Sequence, residues 1–463
     1  MYSLVLMMAM TTSTETTSFF SLSPVTALIL LGVTAGDADH DLMSLIDAAA
    51  YFESRKIPVN AAEMLSRANL DPRESAKTQV AQLLALRWLA EHPEMLRTVA
   101  EARGLLEAIS QGKHAQDGQG FAKEYATRAL ARLDGKQPPP RRAIPIDSLR
   151  SEAFSWFPQR AGGDAILAGI DLRVSGSMHV PGGPFLNKLG LRDGDRDQLY
   201  QVAELVGNIR LDRVAVTYQK SIDKRGQFLM VRATGAFDHQ RLAGLTKDAA
   251  VSARKEMKGP SGEPILMYRI PELFPLSAAH VGDTDIVVLF SDLADNARPF
   301  AEIEEALNVR AGKKDSVVKG CLADLLKKAP DQAVALAVGE ISKETREQAR
   351  KDAPKSVPPV PQRFIVQTIR DDMLRLKGGA TMADADEARL FESCVKELIA
   401  TGRDGLKRLP PDVKLPMKTV ELLGKTMDSI QVESKGSGVS LGVTFSSEVI
   451  GAVRSFVEES LKR

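Results

Sequence analysis

Residues 429–457 read SIQVESKGSGVSLGVTFSSEVIGAVRSFV, and this stretch predicts the unit from which most of the chain is built. Polar and apolar residues alternate over 429–433 and again over 439–445, which is the period of a strand with one buried face. The residues between them, Lys435-Gly-Ser-Gly438, favour a turn, so the two strands are predicted to form a hairpin. Ser446-Ser447 then caps a helix whose apolar residues return at helical spacing as far as Val457.

The same strand–strand–helix unit recurs upstream. The predicted strand pairs are 363–369 with 373–377, 213–219 with 227–233, and, less regularly, 264–270 with 285–290. An apolar strand opens each half of this region, AILAGI at 165–170 and AVALAV at 333–338. Each hairpin and each helix has one apolar side, and these sides must cover each other. The sequence therefore predicts an α+β fold of duplicated antiparallel β-β-α units, with helices on one face of a sheet, in two halves at 147–312 and 313–463.

Helical periodicity dominates the chain before this region. Val80, Leu83, Leu84 and Trp88 share one face of a predicted helix, and Asp71-Pro72 is predicted to cap and open it. Three consecutive prolines in KQPPPRR then end the helical pattern, because proline cannot continue a helix. We predict a helical module at 41–135 and a proline-rich linker at 136–146.

The first 35 residues predict export. Glu15 is their only charged side chain, and an apolar run from Val25 to Val33 precedes a polar stretch that begins at Gly36. Val33 and Ala35 are small residues at the positions that a signal peptidase requires, so residues 1–35 are predicted to be a signal peptide. No basic residue precedes the run, which leaves an uncleaved anchor or an apolar tail as alternatives. The expected location is periplasmic, extracellular or envelope-associated, with the cytoplasm as the alternative.

Composition disfavours nucleic acid as a partner. The 463 residues carry 61 basic and 60 acidic side chains, a net charge of +1, whereas nucleic-acid binders usually carry a basic excess. Aromatic residues make up only 5%, which leaves few side chains for stacking on bases. The two cysteines, Cys321 and Cys394, fall on apolar helical faces and are predicted to be buried structural thiols, with a disulfide or a reactive pair as the alternative.

The chemical motifs predict no catalytic residue and no cofactor. Gly438–Gly442 matches the G-x-S-x-G pattern, but Ser440 falls inside a predicted strand and the last histidine, His280, precedes it. A hydrolase of that type needs the serine on a strand-to-helix turn and a histidine downstream. The histidines lie singly, without zinc-ligand spacing, and are interpreted as surface or core residues. They are His40, His92, His114, His179, His239 and His280.

One acidic stretch fits a calcium loop in part. Asp193, Asp195, Asp197 and Glu204 stand at positions 1, 3, 5 and 12 of the EF-hand pattern, where oxygen ligands surround the ion. Position 6 is Gln198 instead of the glycine that the tight loop requires. We favour the interpretation that an aspartate here caps the following helix, and keep calcium binding as the alternative.

A family resemblance points the same way. Trp156-Phe157-Pro158, followed by a strand ending in Asp171-Leu172-Arg173, resembles the opening of a class of uncharacterised exported bacterial proteins. These are domains of unknown function built from strand–strand–helix repeats, and the likeness extends over about 150–460. The resemblance implies export and a non-enzymatic body, and it assigns no functional residues.

Three hypotheses for function remain open. The leading one is a non-catalytic exported protein that binds another protein or an envelope component. The second is a hydrolase-type enzyme whose site is assembled from residues distant in sequence, which motif searching does not detect. The third is an intracellular scaffold. Contact with a membrane is expected only through an uncleaved N-terminal segment.

Overall fold

The computed structural model describes residues 46–71, 75–113, 121–138, 152–159, 163–171, 197, 200–201, 203–204, 210–220, 227–248, 253–270, 276–291, 300–320, 322–329, 333–352, 357–370, 374–407, 417–446 and 448–449. Helices come first along the chain, and strands interspersed with helices follow.

Polar side chains cap the first three of the N-terminal helices. The helices are α1 (Ala48–Ser54), α2 (Ala61–Ala68), α3 (Ala76–Glu91), α4 (Pro93–Leu96), α5 (Ala102–Ser110) and α6 (Phe121–Leu133). Asp47 and Asn60 accept N-terminal N–H groups of α1 and α2 at 3.1 and 3.0 Å. The prediction that Asp71-Pro72 opens α3 is wrong, because the Ser75 hydroxyl accepts the N–H of Thr78 and the helix begins one residue after this serine.

These helices share one hydrophobic cluster. Large side chains such as Tyr51, Phe52 and Phe121 lie almost completely buried in it. Gln82, also buried, donates from Nε2 to the carbonyl oxygens of Ala68 and Leu70 at 2.9 and 3.0 Å. The last carbonyls of a helix have no partner within the helix, so this amide satisfies the end of α2 and fixes it against α3.

Strands dominate the rest of the described chain. They are β1 (Asp164–Asp171), β2 (Arg210–Lys220), β3 (Gln227–Ala236), β4 (Ala253–Lys258), β5 (Pro264–Ile270), β6 (Leu276–Val281), β7 (Asp285–Ser291), β8 (Ala333–Glu340), β9 (Arg363–Arg370), β10 (Leu374–Thr381), β11 (Gln431–Lys435) and β12 (Gly438–Phe445). The helices among them are α7 (His239–Asp248), α8 (Ala301–Arg310), α9 (Ala323–Lys328), α10 (Lys343–Asp352), α11 (Ala385–Lys407) and α12 (Met417–Asp428).

All twelve strands form one antiparallel sheet. Its order is β11-β12-β10-β9-β8-β1-β2-β3-β7-β6-β5-β4, and every neighbouring pair runs antiparallel. The predicted α+β class, with an N-terminal helical region followed by an antiparallel sheet, is confirmed. The predicted hairpins β2–β3, β9–β10 and β11–β12 are all present.

The strand order is the same on both sides of the central pair. β1 and β8 lie side by side, with Ala168 opposite Ala337. Outward from β1 the order is β2, β3, β7, β6, and outward from β8 it is β9, β10, β12, β11. The hairpin of β4 and β5 extends the first side only. Duplication of an ancestral half requires related strand orders in the two halves. The duplication itself stays a prediction.

Two hydrophobic clusters lie on opposite faces of this sheet. The larger one joins Leu167 of β1 and Val338 of β8 to side chains of α8 and α9. Ile365 packs against it and pairs with Gly379 of β10. The next residue, Ala380, therefore points to the other face, where it packs against the smaller cluster of α11, β11 and β12.

We expected the helices on one face, and the structure places them on different faces in different parts of the sheet. The reason lies in the two central strands. Residues 333–339 of β8 are all buried, and so are seven of the eight residues of β1. Strands that are apolar on both sides need cover on both faces, and near-continuous apolar sequences such as AVALAV are typical of them.

Gly339 in β8 is predicted to be intolerant of a side chain. A Cβ at this position would lie 2.3 Å from Cε1 and 2.5 Å from Cζ of Phe364, its cross-strand neighbour. Gly339→Ala should therefore lower the free energy of unfolding by about 1–3 kcal/mol through overpacking, as measured by urea denaturation. Gly442→Ala in β12 is the matched control, since its Cβ would have no heavy atom within 4 Å. An equal loss for both variants would contradict the prediction.

Candidate functional site

The calcium candidates are only partly described by the structure. Asp193 and Asp195 lie outside the described residues, whereas Asp197 and Glu204 lie within them. Glu204 Oε1 accepts from the Tyr51 hydroxyl at 2.8 Å and from Arg55 Nη2 at 2.8 Å. Burial, followed by the Glu204 carboxylate, raises the pKa of the Tyr51 hydroxyl. The Glu204 carboxylate therefore accepts hydrogen bonds from Tyr51 in α1 and from the guanidinium of Arg55, the residue after this helix. Among the described residues, no group of three or more His, Cys, Asp or Glu side chains is arranged to hold a metal ion.

Ser440 lies within β12, as the sequence predicted. It stands opposite Gly379 of β10 and Glu433 of β11, with strands on both sides. Its Oγ is 3.5 Å from the carbonyl oxygen of Glu433, at the limit of a hydrogen bond. A serine in this position has neither the sharp turn nor the helix N-terminus that activate a nucleophile in the G-x-S-x-G pattern.

Two arginine side chains converge on Trp156, whose segment carries the family resemblance. The Arg232 guanidinium lies 3.9 Å and that of Arg310 4.8 Å from the centre of the Trp156 ring. Arg232 Nη2 lies 2.8 Å from Asp285 Oδ1, and both side chains are less than a tenth exposed. Burial lowers the pKa of Arg232, and the Asp285 carboxylate opposes this effect.

This cluster attaches residues 152–159 to the sheet. Arg232 Nη1 donates to the carbonyl oxygens of Glu152 and Ala153, while the Thr234 and Thr284 hydroxyls donate to the Asp285 carboxylate at 3.2 and 2.8 Å. A guanidinium stays protonated at physiological pH and is a poor acid–base catalyst, so the cluster is suited to holding a segment in place. We assign it a structural role.

Asp164 is a second buried carboxylate, at the start of β1. Its Oδ1 accepts the backbone N–H of Ser342 at 2.7 Å, and its Oδ2 accepts the Thr345 hydroxyl at 2.8 Å. Both partners belong to the start of α10, which follows β8. The carboxylate therefore joins the first predicted half to the second.

A buried histidine on β6 pairs with a half-buried tyrosine on β5. His280 is 3% exposed, and its Nε2 lies 3.0 Å from the hydroxyl oxygen of Tyr268. Burial, followed by the charge of His239, lowers the pKa of His280 to about 4. Burial alone raises the pKa of Tyr268 to about 12. Both groups are therefore neutral at physiological pH. Sequence spacing did not predict this pair, because Tyr268 and His280 lie on different strands and His239 lies on α7.

Polar side chains cover one exposed face of β10, β11 and β12. Six exposed residues share it through the strand register: Lys377, Thr381, Gln431, Glu433, Lys435 and Ser440. We call this set the polar face. Gly379 and Gly442 lie between these residues, and because they have no side chains this part of the surface is flat. Val439, the neighbour of Ser440 in β12, is buried against α11 on the opposite face.

The cysteine prediction is tested for one residue only. Cys394 is a free, buried thiol in α11, and burial raises its pKa. Such a thiol is poorly reactive, since the thiolate is the nucleophile. Cys321 lies outside the described residues.

Within the described part of the chain, no helix combines the length and the apolar character that crossing a bilayer requires.

Comparison with known proteins does not place the chain in a family. No known protein family matches the chain, and no curated protein gives a significant match. Solved structures of TP0453 are similar. Its crystal form III has a TM-score of 0.34 and 7% identity over 66% of this chain and 98% of that chain. Its crystal form IV has a TM-score of 0.31 and 10% identity over 63% of this chain and 93% of that chain. Similarity at this level carries no argument about function, and the resemblance to exported domains of unknown function stays a prediction.

Proposed function

We propose that the chain is a non-catalytic exported protein that binds another protein or an envelope component through the polar face. The observation that carries this proposal is the exposure of six polar side chains on three adjacent strands. Residues exposed on one face of a sheet form a broad and rigid surface, because the ladder fixes their spacing. Rigid elements hold a binding surface more accurately than loops do.

The composition of the polar face favours a polar partner. Lys377 and Lys435 supply positive charge, Glu433 supplies negative charge, and Thr381 and Ser440 offer hydroxyl groups that both donate and accept. Interfaces of this kind gain specificity from complementary charge and hydrogen bonding more than from apolar area. Buried charges elsewhere, such as the Arg232–Asp285 pair, are engaged in holding the fold and support a body without catalysis.

Site-specific crosslinking in the producing cell tests the binding role. A photoreactive residue placed at Ser440 or at Thr381 should give the same discrete crosslinked product, because both positions lie on the polar face. The matched control is Ser393, an exposed serine of α11, which packs on the opposite side of the sheet. Equal products from Ser393, or none from either position on the polar face, would argue against this surface.

Export is tested separately by mass spectrometry of the chain purified from its source. Removal of a signal peptide predicts a mature N-terminus at Gly36. An intact Met1 on a cytoplasmic protein would instead favour the intracellular alternative. The two experiments are independent, because crosslinking tests the polar face and mass spectrometry tests the N-terminus.

A further inference from the structure

The pair of His280 and Tyr268 lies on strands β6 and β5, and β5 contacts α7, the helix that joins the sheet to the N-terminal helices. The His280 and Tyr268 rings meet edge to face, 5.2 Å apart. In the described part of the chain, His280 Nδ1 is buried and has no hydrogen-bond partner, and the same holds for Nδ1 of His239 at the start of α7. A buried polar atom without a partner costs free energy, so these two nitrogens destabilise the site even when the imidazole of His280 is neutral.

Helix α7 contacts both neighbouring parts of the molecule. It contacts β5, the strand that carries Tyr268. The backbone N–H of His239 donates to Asp283 Oδ1 at 3.1 Å, in the turn between β6 and β7. On its other side, Arg241 Nη1 donates to Gln79 Oε1 of α3 at 2.7 Å. Displacement of α7 from the sheet would therefore also break a contact with the N-terminal helices.

The surroundings of His280 disfavour a positive charge. Tyr268 approaches it from β5 and is neutral. On α7, the charge of His239 opposes a positive charge on His280, and Arg241 is a second basic side chain of this helix. Two carboxylates beside α7, Asp238 and Asp283, accept the backbone N–H groups of Arg241 and His239, and a third acidic residue, Asp248, lies at the far end of the helix. An imidazolium at position 280 would thus meet a second histidine in a buried site.

We propose that His280 is an acid-sensitive latch, whose protonation releases α7 from the sheet and loosens the contact between α7 and the N-terminal helices. Its imidazole fits the β5–β6 site only as the neutral form. When the proton binds, the charged ring gains more from water than from the site, and α7 opens to admit it.

The sign of the pH dependence follows from the two protonation equilibria. In the folded protein the pKa of His280 is lowered to about 4, whereas its ordinary value is 6.5. The open state binds the proton first, so the contact is at full strength above pH 6.5 and weakens as pH falls towards 4. At pH 4.5 the protection of α7 should be reduced on the order of a hundredfold.

Amide hydrogen exchange of the full chain tests this proposal. Protection factors, corrected for the intrinsic pH dependence of exchange, are compared between pH 7.5 and pH 4.5. We expect a loss of roughly a hundredfold in residues 239–248 of α7 and a much smaller change in α11. Unchanged protection of α7, or an equal loss in both helices, would overturn the proposal.

Two variants and one direct titration assign the effect to His280. His280→Gln keeps a side-chain partner for the Tyr268 hydroxyl but does not titrate, so its α7 should lose little protection at pH 4.5. His92→Gln, at a histidine hydrogen-bonded to its own helix at Trp88, should behave like the unmodified protein. If His280→Gln does not fold, the His280 ring can be titrated by NMR in the unmodified protein. A midpoint below pH 5 supports the latch, and one near 6.5 overturns it.

Discussion

Replacing Arg232 with methionine is expected to lower the free energy of unfolding by about 3–5 kcal/mol, because it leaves Asp285 buried without its cation. The two side chains are 8% and 9% exposed, so water cannot replace the lost guanidinium. The substitution also removes the donor to the carbonyl oxygens of Glu152 and Ala153, which attaches the Trp156 segment to the sheet. Urea denaturation followed by far-ultraviolet circular dichroism measures the loss.

Arg310→Met is the matched control for this prediction. Arg310 contacts the same indole ring and pairs with Glu263, but its side chain is 25% exposed. Partial exposure screens the pair and leaves Glu263 access to water, so the expected loss is about 1 kcal/mol or less. Similar losses for the two variants would show that stacking on Trp156, and not the buried Arg232–Asp285 pair, dominates the energy of the cluster.

The strands that the sequence predicted have a recognisable pattern of apolar residues, which is either alternation or a continuous run. Polar and apolar residues alternate in β12 and in residues 429–433, which lead into β11, whereas β1 and β8 are nearly continuous apolar runs. β4 and β6 were missed because their sequences lack this signal. β4 reads ARKEMK and lies at the edge of the sheet, where charged residues protect an exposed strand. β6 reads LSAAHV, whose small residues give no pattern.

Omission of β4 and β6 changed the predicted pairing of the fourth unit. The sequence suggested that β5 pairs with β7, whereas β5 lies between β4 and β6 in the sheet. The other hairpins were predicted correctly, because their two strands are consecutive and separated by only a few, mostly polar, residues. Local pattern thus determines a hairpin, and the order of hairpins within the sheet depends on contacts between distant residues.

The buried polar groups were beyond sequence prediction for a related reason. Arg232 and Asp285 lie on β3 and β7, which are neighbours only after the sheet has formed. A periodic pattern reports which face a residue occupies, but not which residue of another strand lies beside it. Asp164 similarly meets Thr345 through the contact of β1 with β8.

Asp164→Ala is the second substitution from which we expect a large effect, a loss of about 3 kcal/mol in the free energy of unfolding. The carboxylate is 2% exposed and accepts two hydrogen bonds, from the Ser342 N–H and the Thr345 hydroxyl. Alanine leaves the buried hydroxyl of Thr345 without its acceptor, and an unsatisfied buried group costs more than a hydrogen bond returns. Urea denaturation again gives the measurement.

Asp384→Ala separates this effect from the ordinary cost of losing a helix cap. Asp384 Oδ1 accepts the N–H groups of Asp386 and Glu387 at the start of α11, and the side chain is exposed. Water can replace the lost acceptor there, so we expect a loss of about 1 kcal/mol. Because Asp164 also joins β1 to the start of α10, its replacement should increase hydrogen exchange in α10, whereas Asp384→Ala should not. Equal losses of stability and unchanged exchange in α10 would reduce Asp164 to a simple cap and remove its assigned role in joining the two halves of the sheet.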